Sequence, residues 1–378
     1  MNEVVLNDIC ELIVDCPHST AYDEGTGYPL VRTPNIGRGR LIYSGMHRVC
    51  EEVYNKRNAR AIPQTNDLIF AREATAGNVA LIQEGEKVCL GQRTVLIRPN
   101  ANLVNPAFLT YHLLAPEQQY KLLSTANGAT VAHVNMQTIR NLKLSLPPLA
   151  TQHRIASILS RYDSLIENYQ KQIKLLEEAA QRLYKEWFVD LRFPGHENTN
   201  LIDGVPEGWE KKKVGEIAPI ITGKKDANFG TPNGEYPFFT CSQEPIKAPS
   251  FSFDCAAVLL AGNGDFNVKL YRGRFEAYQR TYVLSPYIDS HLYLLFYTIS
   301  ANMTKLAAGS SGSTIKFLTK GMIDGINLNV PNDEILRSFN KKVEPIQSSR
   351  ESLQSQLRLL TEARDRLHPK LMSGEITI

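Results

Sequence analysis

The sequence predicts an α+β protein: two α/β globular domains separated by a pair of long antiparallel coiled-coil helices, arranged as an internal pseudo-twofold repeat. Two segments, one in the middle of the chain and one at its end, place apolar residues at a seven-residue step. The second half of the chain repeats the first at an offset of 184 residues. The regions before the two periodic segments carry short β-like runs separated by Gly, Asn and Pro.

The first periodic segment runs from Leu149 to Trp187 and contains no Gly or Pro. Lys, Arg, Glu and Gln fill most of the places between its apolar columns, which predicts a long helix with a narrow apolar seam. At about 1.5 Å per residue such a helix is on the order of 50 Å long, and its seam needs a partner helix. The seam residues are predicted to be Leu159, Tyr162, Ile166, Tyr169, Ile173, Leu176 and Leu183.

The predicted partner lies in the last forty residues of the same chain. Its seam residues are Ile346, Leu353, Leu357, Leu360 and Leu367. Between 128–193 and 312–377, 15 of 66 ungapped positions are identical, whereas average composition gives about four by chance. Two unrelated helical hairpins would not also match at the Gly-x-Thr and Pro positions that precede the helices, so we expect the two helices to pair antiparallel.

The predicted boundaries divide the chain into five segments. They are a first globular domain (1–146), a first helical region (147–191), a linker rich in Pro, Gly and polar residues (192–208), a second globular domain (209–330) and a second helical region (331–378). In the first domain we predict strands at Glu3–Leu6, Tyr28–Thr33, Asp67–Ala71, Val79–Gln83 and Thr94–Arg98, followed by one helix over Pro106–Leu123.

Composition excludes several classes of protein. A net charge of +3, from 42 Lys and Arg against 39 Asp and Glu, is too balanced to indicate nucleic-acid binding by itself, although a local basic groove remains compatible with it. The six Cys form neither a CxxC motif nor a zinc-like spacing with His, so reduced thiols and no metal site are expected. No signal sequence or membrane-length apolar run is present, which predicts a soluble intracellular protein.

The residues that enter the first helix form a distinctive run. LPPLATQHRIASILSRYDSLIE begins at Leu146 and continues to LEEAAQRLYKEWFVDLRFPG. With its counterparts INLNVPNDEILRSFNKKVEPI and LLTEARDRLHPKLMSGEI, it resembles the specificity subunit of type I restriction–modification systems. The resemblance covers the whole chain, but His368-Pro369 departs from the Trp187-Phe188 version of the motif.

This resemblance implies a function that composition cannot give. The domains 1–146 and 209–330 would be target-recognition domains, each reading one half of a bipartite sequence in double-stranded DNA. The helical pair would set the spacing between the halves and dock two modification subunits, which bind S-adenosylmethionine and methylate adenine. ATP- and Mg-dependent restriction subunits would join that complex. The chain itself would hold no cofactor, have no membrane contact and act in the cytoplasm of a prokaryote.

The missing catalytic motifs agree with a targeting subunit. An adenine methyltransferase needs Asn/Asp-Pro-Pro-Tyr/Phe, and the nearest strings here, SLPPL and NVPND, lack that order. The chain also has no P-loop, no nucleophile elbow and no glycine-rich cofactor loop in a strand–loop–helix context. We therefore expect no catalysis by this chain alone.

Candidate DNA contacts are Arg, Lys, Asn and Ser residues on predicted loops. They are Arg32, Asn35, Arg38 and Arg40 in one loop, Arg72 after a strand, and Lys224, Lys225, Asn263, Asn267, Ser311 and Lys316 in the second half. The alternatives are a solvated loop or, for Arg72, a salt bridge. Gln92-Arg93 recurs as Gln279-Arg280, and a residue that reads different bases should differ between the halves. This recurring pair is therefore predicted to be structural or to contact phosphate.

Two other functions stay open. The chain could serve a related system whose partner fuses methylase and nuclease, or it could be a coiled-coil scaffold that binds no nucleic acid. A scaffold would bind its ligands without the steep salt dependence that phosphate contacts cause.

Overall fold

A computed structural model describes residues 2–124, 133–310, 312 and 316–378. The chain forms two compact units, one of Met1–Tyr169 with Gln356–Ile378 and the other of Gln170–Ser355. Each unit combines a globular part with a stretch of both long helices. The mixture of helix and sheet and the repeated architecture confirm the predicted α+β class.

Unit 1 begins with a globular part of short strands and helices. Its elements are β1 (Asn2–Val5), β2 (Cys10–Asp15), β3 (Tyr28–Val31), β4 (His47–Val49), α1 (Glu51–Arg57), β5 (Leu68–Ala71), β6 (Val79–Leu81), β7 (Cys89–Leu90), β8 (Thr94–Pro99), α2 (Pro106–Leu114), α3 (Pro116–Ser124), α4 (Met136–Arg140) and β9 (Lys143–Leu146). The long helix α5 (Leu149–Tyr184) follows.

The main sheet of unit 1 has the order β2-β8-β5-β6, and all its neighbouring strands are antiparallel. Side chains alternate across it, so Leu68 and Phe70 of β5 face one core while Ile69 and Ala71 face another. The first core also receives Leu159 from α5 and other apolar side chains from the C-terminal helix. The sheet is therefore buried on both faces, which explains its nearly continuous apolar strands.

Unit 2 repeats this plan with longer strands. Its elements are β10 (Leu201–Ile202), β11 (Val205–Pro206), β12 (Glu210–Lys213), α6 (Val214–Ile217), β13 (Ile220–Thr222), β14 (Tyr236–Phe239), β15 (Ile246–Ala248), β16 (Phe253–Ala261), β17 (Val268–Ala277), β18 (Thr281–Leu284), α7 (Leu292–Ala308), α8 (Lys320–Asp324) and β19 (Asn327–Val330). The helix α9 (Asp333–Ser373) closes the chain.

The two units share their strand connectivity. The order β13-β18-β16-β17 in unit 2 corresponds to β2-β8-β5-β6 in unit 1. In each unit the strand that opens the predicted globular domain (1–146 or 209–330) pairs antiparallel with the strand that precedes the next long helix, β1 with β9 and β12 with β19. Each unit also contains one parallel pair, β3 with β7 and β14 with β17. The sequence repeat is thus a repeat of topology.

The burial of the long helices follows the seven-residue step. Each predicted seam residue is buried or half-buried: Leu159, Tyr162, Ile166, Tyr169, Ile173, Leu176, Leu183, Ile346, Leu353, Leu357, Leu360 and Leu367. In unit 2, Glu177 pairs with Arg350 and Trp187 packs on Phe339. Residue numbers in the C-terminal helix therefore fall as those in the first helical region rise, so the two segments run antiparallel. The start of α9 is capped by Asn332, whose Oδ1 accepts a hydrogen bond from the Ile335 amide at 3.0 Å.

Three local predictions need correction. The single helix predicted over Pro106–Leu123 is broken into α2 and α3, because Pro116 has no N–H and holds Ala115 in an extended conformation (ψ 146°). The predicted linker contains the hairpin β10–β11, whose turn residues Asp203 and Gly204 both have positive φ, as a type I′ turn requires. Strand β2 is not among the predicted strands, but Cys10–Asp15 pairs antiparallel with β8.

Within the described parts of the chain, no helix has the length and apolar character needed to cross a membrane.

Candidate nucleic-acid interface

Backbone hydrogen bonds bring four separate segments of unit 2 side by side. The Gly223 amide donates to the Thr281 carbonyl, and the Gln279 amide donates to the Lys225 carbonyl. The Gly262 amide then donates to the Arg280 carbonyl, while its own carbonyl accepts from the Leu318 amide. The surface formed by Lys224–Lys225, Asn263, Gln279–Arg280 and Phe317 is called the Gln-Arg edge of unit 2.

Unit 1 builds the equivalent surface with counterparts of three of these four hydrogen bonds. The Cys16 amide donates to the Thr94 carbonyl, the Arg72 amide to the Arg93 carbonyl, and the Val134 amide to the Arg72 carbonyl. The Gln-Arg edge of unit 1 therefore consists of the equivalent residues, Pro17–His18, Glu73, Gln92–Arg93 and His133. Its position in the fold is the same, but its side chains differ from those of unit 2 at most places.

The edge of unit 2 is rich in cations that lack acidic partners. Lys224, Arg280 and the neighbouring Lys316 are exposed. The ammonium of Lys225 lies 4.4 Å from the centre of the Phe229 ring. Among the described residues none of these four cations forms an ion pair. Four unneutralised positive charges on adjacent segments give a surface suited to phosphate.

The edge of unit 1 is internally neutralised. Arg72 is buried, and its Nη1 lies 2.9 and 3.0 Å from the two carboxylate oxygens of Asp15. Glu73 pairs with Arg93 and also accepts from His133 Nδ1 at 2.6 Å. Burial and the guanidinium groups of Arg72 and Arg93 lower the pKa of His133, which keeps its ring neutral. Two cations and two carboxylates thus form one connected network.

The arginine-rich loop predicted to contact DNA is occupied by contacts within unit 1. Arg32 Nη2 donates to the Gly45 carbonyl at 3.3 Å, and Arg38 Nη2 donates to the Leu114 carbonyl at 2.9 Å. Arg40 pairs with Glu167 of α5 at 3.3 Å. Asn35 is buried, and its amide donates to the Ile42 carbonyl while its oxygen accepts from the Arg32 amide. The loop is therefore fastened to its own unit, and Asn35 in particular cannot reach a base.

Two further predicted contacts are turned inward. Arg72 donates to Asp15 and, through Nε, to the Val134 carbonyl, so its guanidinium is used inside the fold. Asn267 donates to the carbonyls of Cys241 and Asp265 and accepts from Lys269. These positions correct the prediction, because a side chain with all its hydrogen-bonding groups satisfied by the fold has little left for DNA.

The other predictions fall on one surface. Lys224, Lys225, Asn263 and Lys316, which are distant in sequence, lie on adjacent segments at the Gln-Arg edge of unit 2. Ser311 lies outside the described residues. His133 and Phe317 are not among the predicted contacts, although the repeat aligns these two positions at the offset of 184. A comparison of aligned residues that differ in chemistry could have found them.

No group of three or more His, Cys, Asp or Glu suited to a metal ion occurs in the ranges that the structure describes. The Gln-Arg edges offer charged and amide groups, which can form hydrogen bonds and ion pairs with a ligand.

Comparison with known proteins points to one family. The family described as "Type I restriction modification DNA specificity domain" matches residues 1–178 and 206–349. The specificity subunit of the type I restriction enzyme EcoDI from Escherichia coli is 35% identical over 177 residues, which are 46% of this chain and 40% of that protein. The MjaIX specificity subunit from Methanocaldococcus jannaschii is 24% identical over 408 residues, covering 99% of this chain and 93% of the relative.

A solved structure shares the fold over nearly the whole length. The crystal structure of a type I restriction–modification system S subunit from M. genitalium superposes with a TM-score of 0.67 at 16% identity, covering 98% of this chain and 95% of that one. At this identity the likeness concerns the fold alone.

Proposed function

Because the chain belongs to the family of type I restriction–modification DNA specificity domains, we propose that it is the non-catalytic specificity subunit of a type I restriction–modification complex. Each unit reads one half of a bipartite site in double-stranded DNA. The two halves need not have the same sequence, because the two reading surfaces belong to one chain and have diverged.

The observation that carries this proposal is the Gln-Arg edge. The same backbone hydrogen bonds place an exposed arginine, Arg93 or Arg280, at equivalent positions of the two units. Two equivalent surfaces bearing arginine suit two successive stretches of a DNA duplex, as in dimeric readers that contact two half-sites. The exposed Lys224 and Lys316 add charge for the backbone of the second stretch.

The proposal includes the partners that the family implies. Two modification subunits, which bind S-adenosylmethionine and methylate adenine, dock on the helical regions, and restriction subunits supply the ATP- and Mg-dependent activity. Within this chain the Gln-Arg edge supplies recognition only, so methyl transfer depends on the modification subunits. The complex acts in the cytoplasm of a prokaryote.

The long helices set the separation between the half-sites in this proposal. Both α5 and α9 pass from one unit into the other, so a change in their length alters the connection without touching either edge. Inserting one heptad in each helix, after Tyr169 and after Ser355, adds about 10 Å of helix, which corresponds to about three base pairs. We expect the half-site sequences to stay the same and the tolerated spacer between them to change. An unchanged spacer contradicts this part of the proposal.

The decisive experiment expresses the chain with its partner methyltransferase subunit and maps methylated adenines across a host genome. The expected result is one bipartite motif with two short specific blocks and a fixed spacer. Methylation without a bipartite motif contradicts the proposal. Binding of the purified complex to DNA that is indifferent to salt would instead favour a scaffold without nucleic-acid function.

A further inference from the structure

The internal repeat provides a comparison of two DNA-reading surfaces within one chain. The carbonyls of Arg93 and Arg280 accept equivalent backbone hydrogen bonds, and each arginine follows a glutamine, Gln92 or Gln279, so the pair is the same in both units. The second position after the buried main-sheet strand differs, being Glu73 in unit 1 and Asn263 in unit 2. A group shared by both halves suits the uniform phosphate backbone, and it can read a base in one half only where a neighbouring residue that differs between the halves holds it differently.

In unit 1, Glu73 determines where two other side chains lie. Its carboxylate pairs with Arg93 and accepts from His133 Nδ1 at 2.6 Å. On the other side of the ring, Arg72 Nη2 donates to His133 Nε2 at 2.9 Å, which fixes the tautomer with the proton on Nδ1. The Glu73 side chain is only 13% exposed, whereas that of Arg93 is 58% exposed. The carboxylate therefore lies beneath a guanidinium that it orients towards solvent.

In unit 2, the equivalent residue is Asn263, which does not orient a neighbouring arginine in the described part of the chain. Asn263 is half-buried, and its amide forms no hydrogen bond with the described residues. Its backbone pairs with Phe317, which takes the place of His133 and is 38% exposed. Arg280 is exposed and has no acidic partner in the described part of the chain. As far as the described residues are concerned, the amide keeps both its donor and its acceptor available for a ligand.

We propose that the position occupied by Glu73 and Asn263 determines which base each unit reads, an inference that rests on the proposed function. In unit 1, Glu73 is a positioning residue that presents Arg93, and an oriented guanidinium pairs with the two acceptors of guanine in the major groove. In unit 2, Asn263 contacts the DNA itself, and a free amide pairs with the donor and acceptor of adenine.

The test uses the complete complex with its methyltransferase and reads the methylated motif. Glu73→Gln removes the charge that holds Arg93, so one base position in the half-site of unit 1 should lose discrimination by roughly tenfold or more. Asn263→Asp should relax one position in the other half-site only. Glu73→Asp keeps the carboxylate and should restore the original motif. Glu84→Gln, an exposed change in a turn of the same unit, is the matched control and should leave the motif unchanged.

The outcomes distinguish a failure of the proposed function from a failure of the inference about Glu73 and Asn263. If the wild-type complex methylates no bipartite motif, the proposed function fails. If it does, and both Glu73→Gln and Asn263→Asp leave the motif unchanged or weaken methylation at all sites equally, only this inference is overturned. Relaxation confined to one half-site for each variant supports it, because a purely structural role would lower activity without altering the sequence that is read.

Discussion

Removal of the unpaired cations from the Gln-Arg edge of unit 2 should flatten the salt dependence of DNA binding. The triple variant Lys224→Gln, Arg280→Gln and Lys316→Gln removes three exposed charges that have no acidic partner within the described residues. Each lost phosphate contact reduces the slope of log K against log salt concentration by about 0.9, so the triple variant should reduce it by about 2.7. Between 50 and 200 mM salt the wild-type complex should then lose roughly 40-fold more affinity than the variant.

The assay is equilibrium binding of the complex to a duplex that carries its methylated motif, measured at four or more salt concentrations. A matched triple variant at Lys56, Lys87 and Lys213, also exposed and without ion pairs in the described chain, is the control. An equal change of slope in both triple variants would refute the assignment of phosphate contacts to the edge. A single Arg93→Gln change in unit 1 should alter the slope by less than 0.9, because Glu73 already neutralises that arginine.

Three further predictions concern stability. Burial lowers the pKa of His112 to about 4 from 6.5, so the unfolded chain takes up a proton before the folded chain does. The free energy of unfolding of unit 1 should therefore fall by about 3 kcal/mol between pH 6.5 and pH 4. Denaturant titrations of His112→Phe should not show this loss. Arg364→Met removes the cation that contacts Asp163 at 2.9 Å and should lower the free energy of unfolding by about 1–3 kcal/mol. Adding Asp163→Asn to this variant should restore part of that stability. Phe339→Ala empties a fully buried site beside Trp187 and should lower the free energy of unfolding of unit 2 by about 3–5 kcal/mol, whereas a cost under 1 kcal/mol would contradict the packing.

Periodic features of the sequence predicted the scaffold well. The seam of α5 follows from a seven-residue apolar step that no Gly or Pro interrupts, and the observed helix begins at the predicted Leu149. The broken helix at Pro116 could have been predicted as well, because proline acts on its neighbours through local geometry. Local rules of this kind need no knowledge of tertiary contacts.

The direction in which a polar side chain points could not be predicted in this way. Arg40 lies in an arginine-rich loop, which predicts a DNA contact, yet it forms an ion pair with Glu167, more than a hundred residues away in sequence. The alternative for Arg72 is a salt bridge, and its carboxylate partner is Asp15, which lies 57 residues away in sequence. Such pairings depend on the fold, so residue type and loop context identify candidates without deciding between internal and external partners.

The attachment of each globular part to the helices explains why the repeat is clearer in the helices than in the globular parts. In unit 1 the Tyr111 hydroxyl donates to Asp163 of α5 at 2.6 Å, and in unit 2 the Tyr297 hydroxyl accepts from Gln347 of α9. The two tyrosines occupy equivalent helices, and Asp163 and Gln347 are equivalent positions at the offset of 184.

This attachment is separate from the Gln-Arg edges in both units. A substitution at Glu73 or Asn263 changes no contact of Tyr111 or Tyr297 with the helices, so the reading surface can diverge while the scaffold keeps its packing constraints. Changes on the seam, by contrast, alter cores that helix and globular part share, as at Leu159. Selection for new DNA sequences and selection for a fixed scaffold therefore act on different residues of the same unit, which accounts for two unlike edges on one repeated architecture.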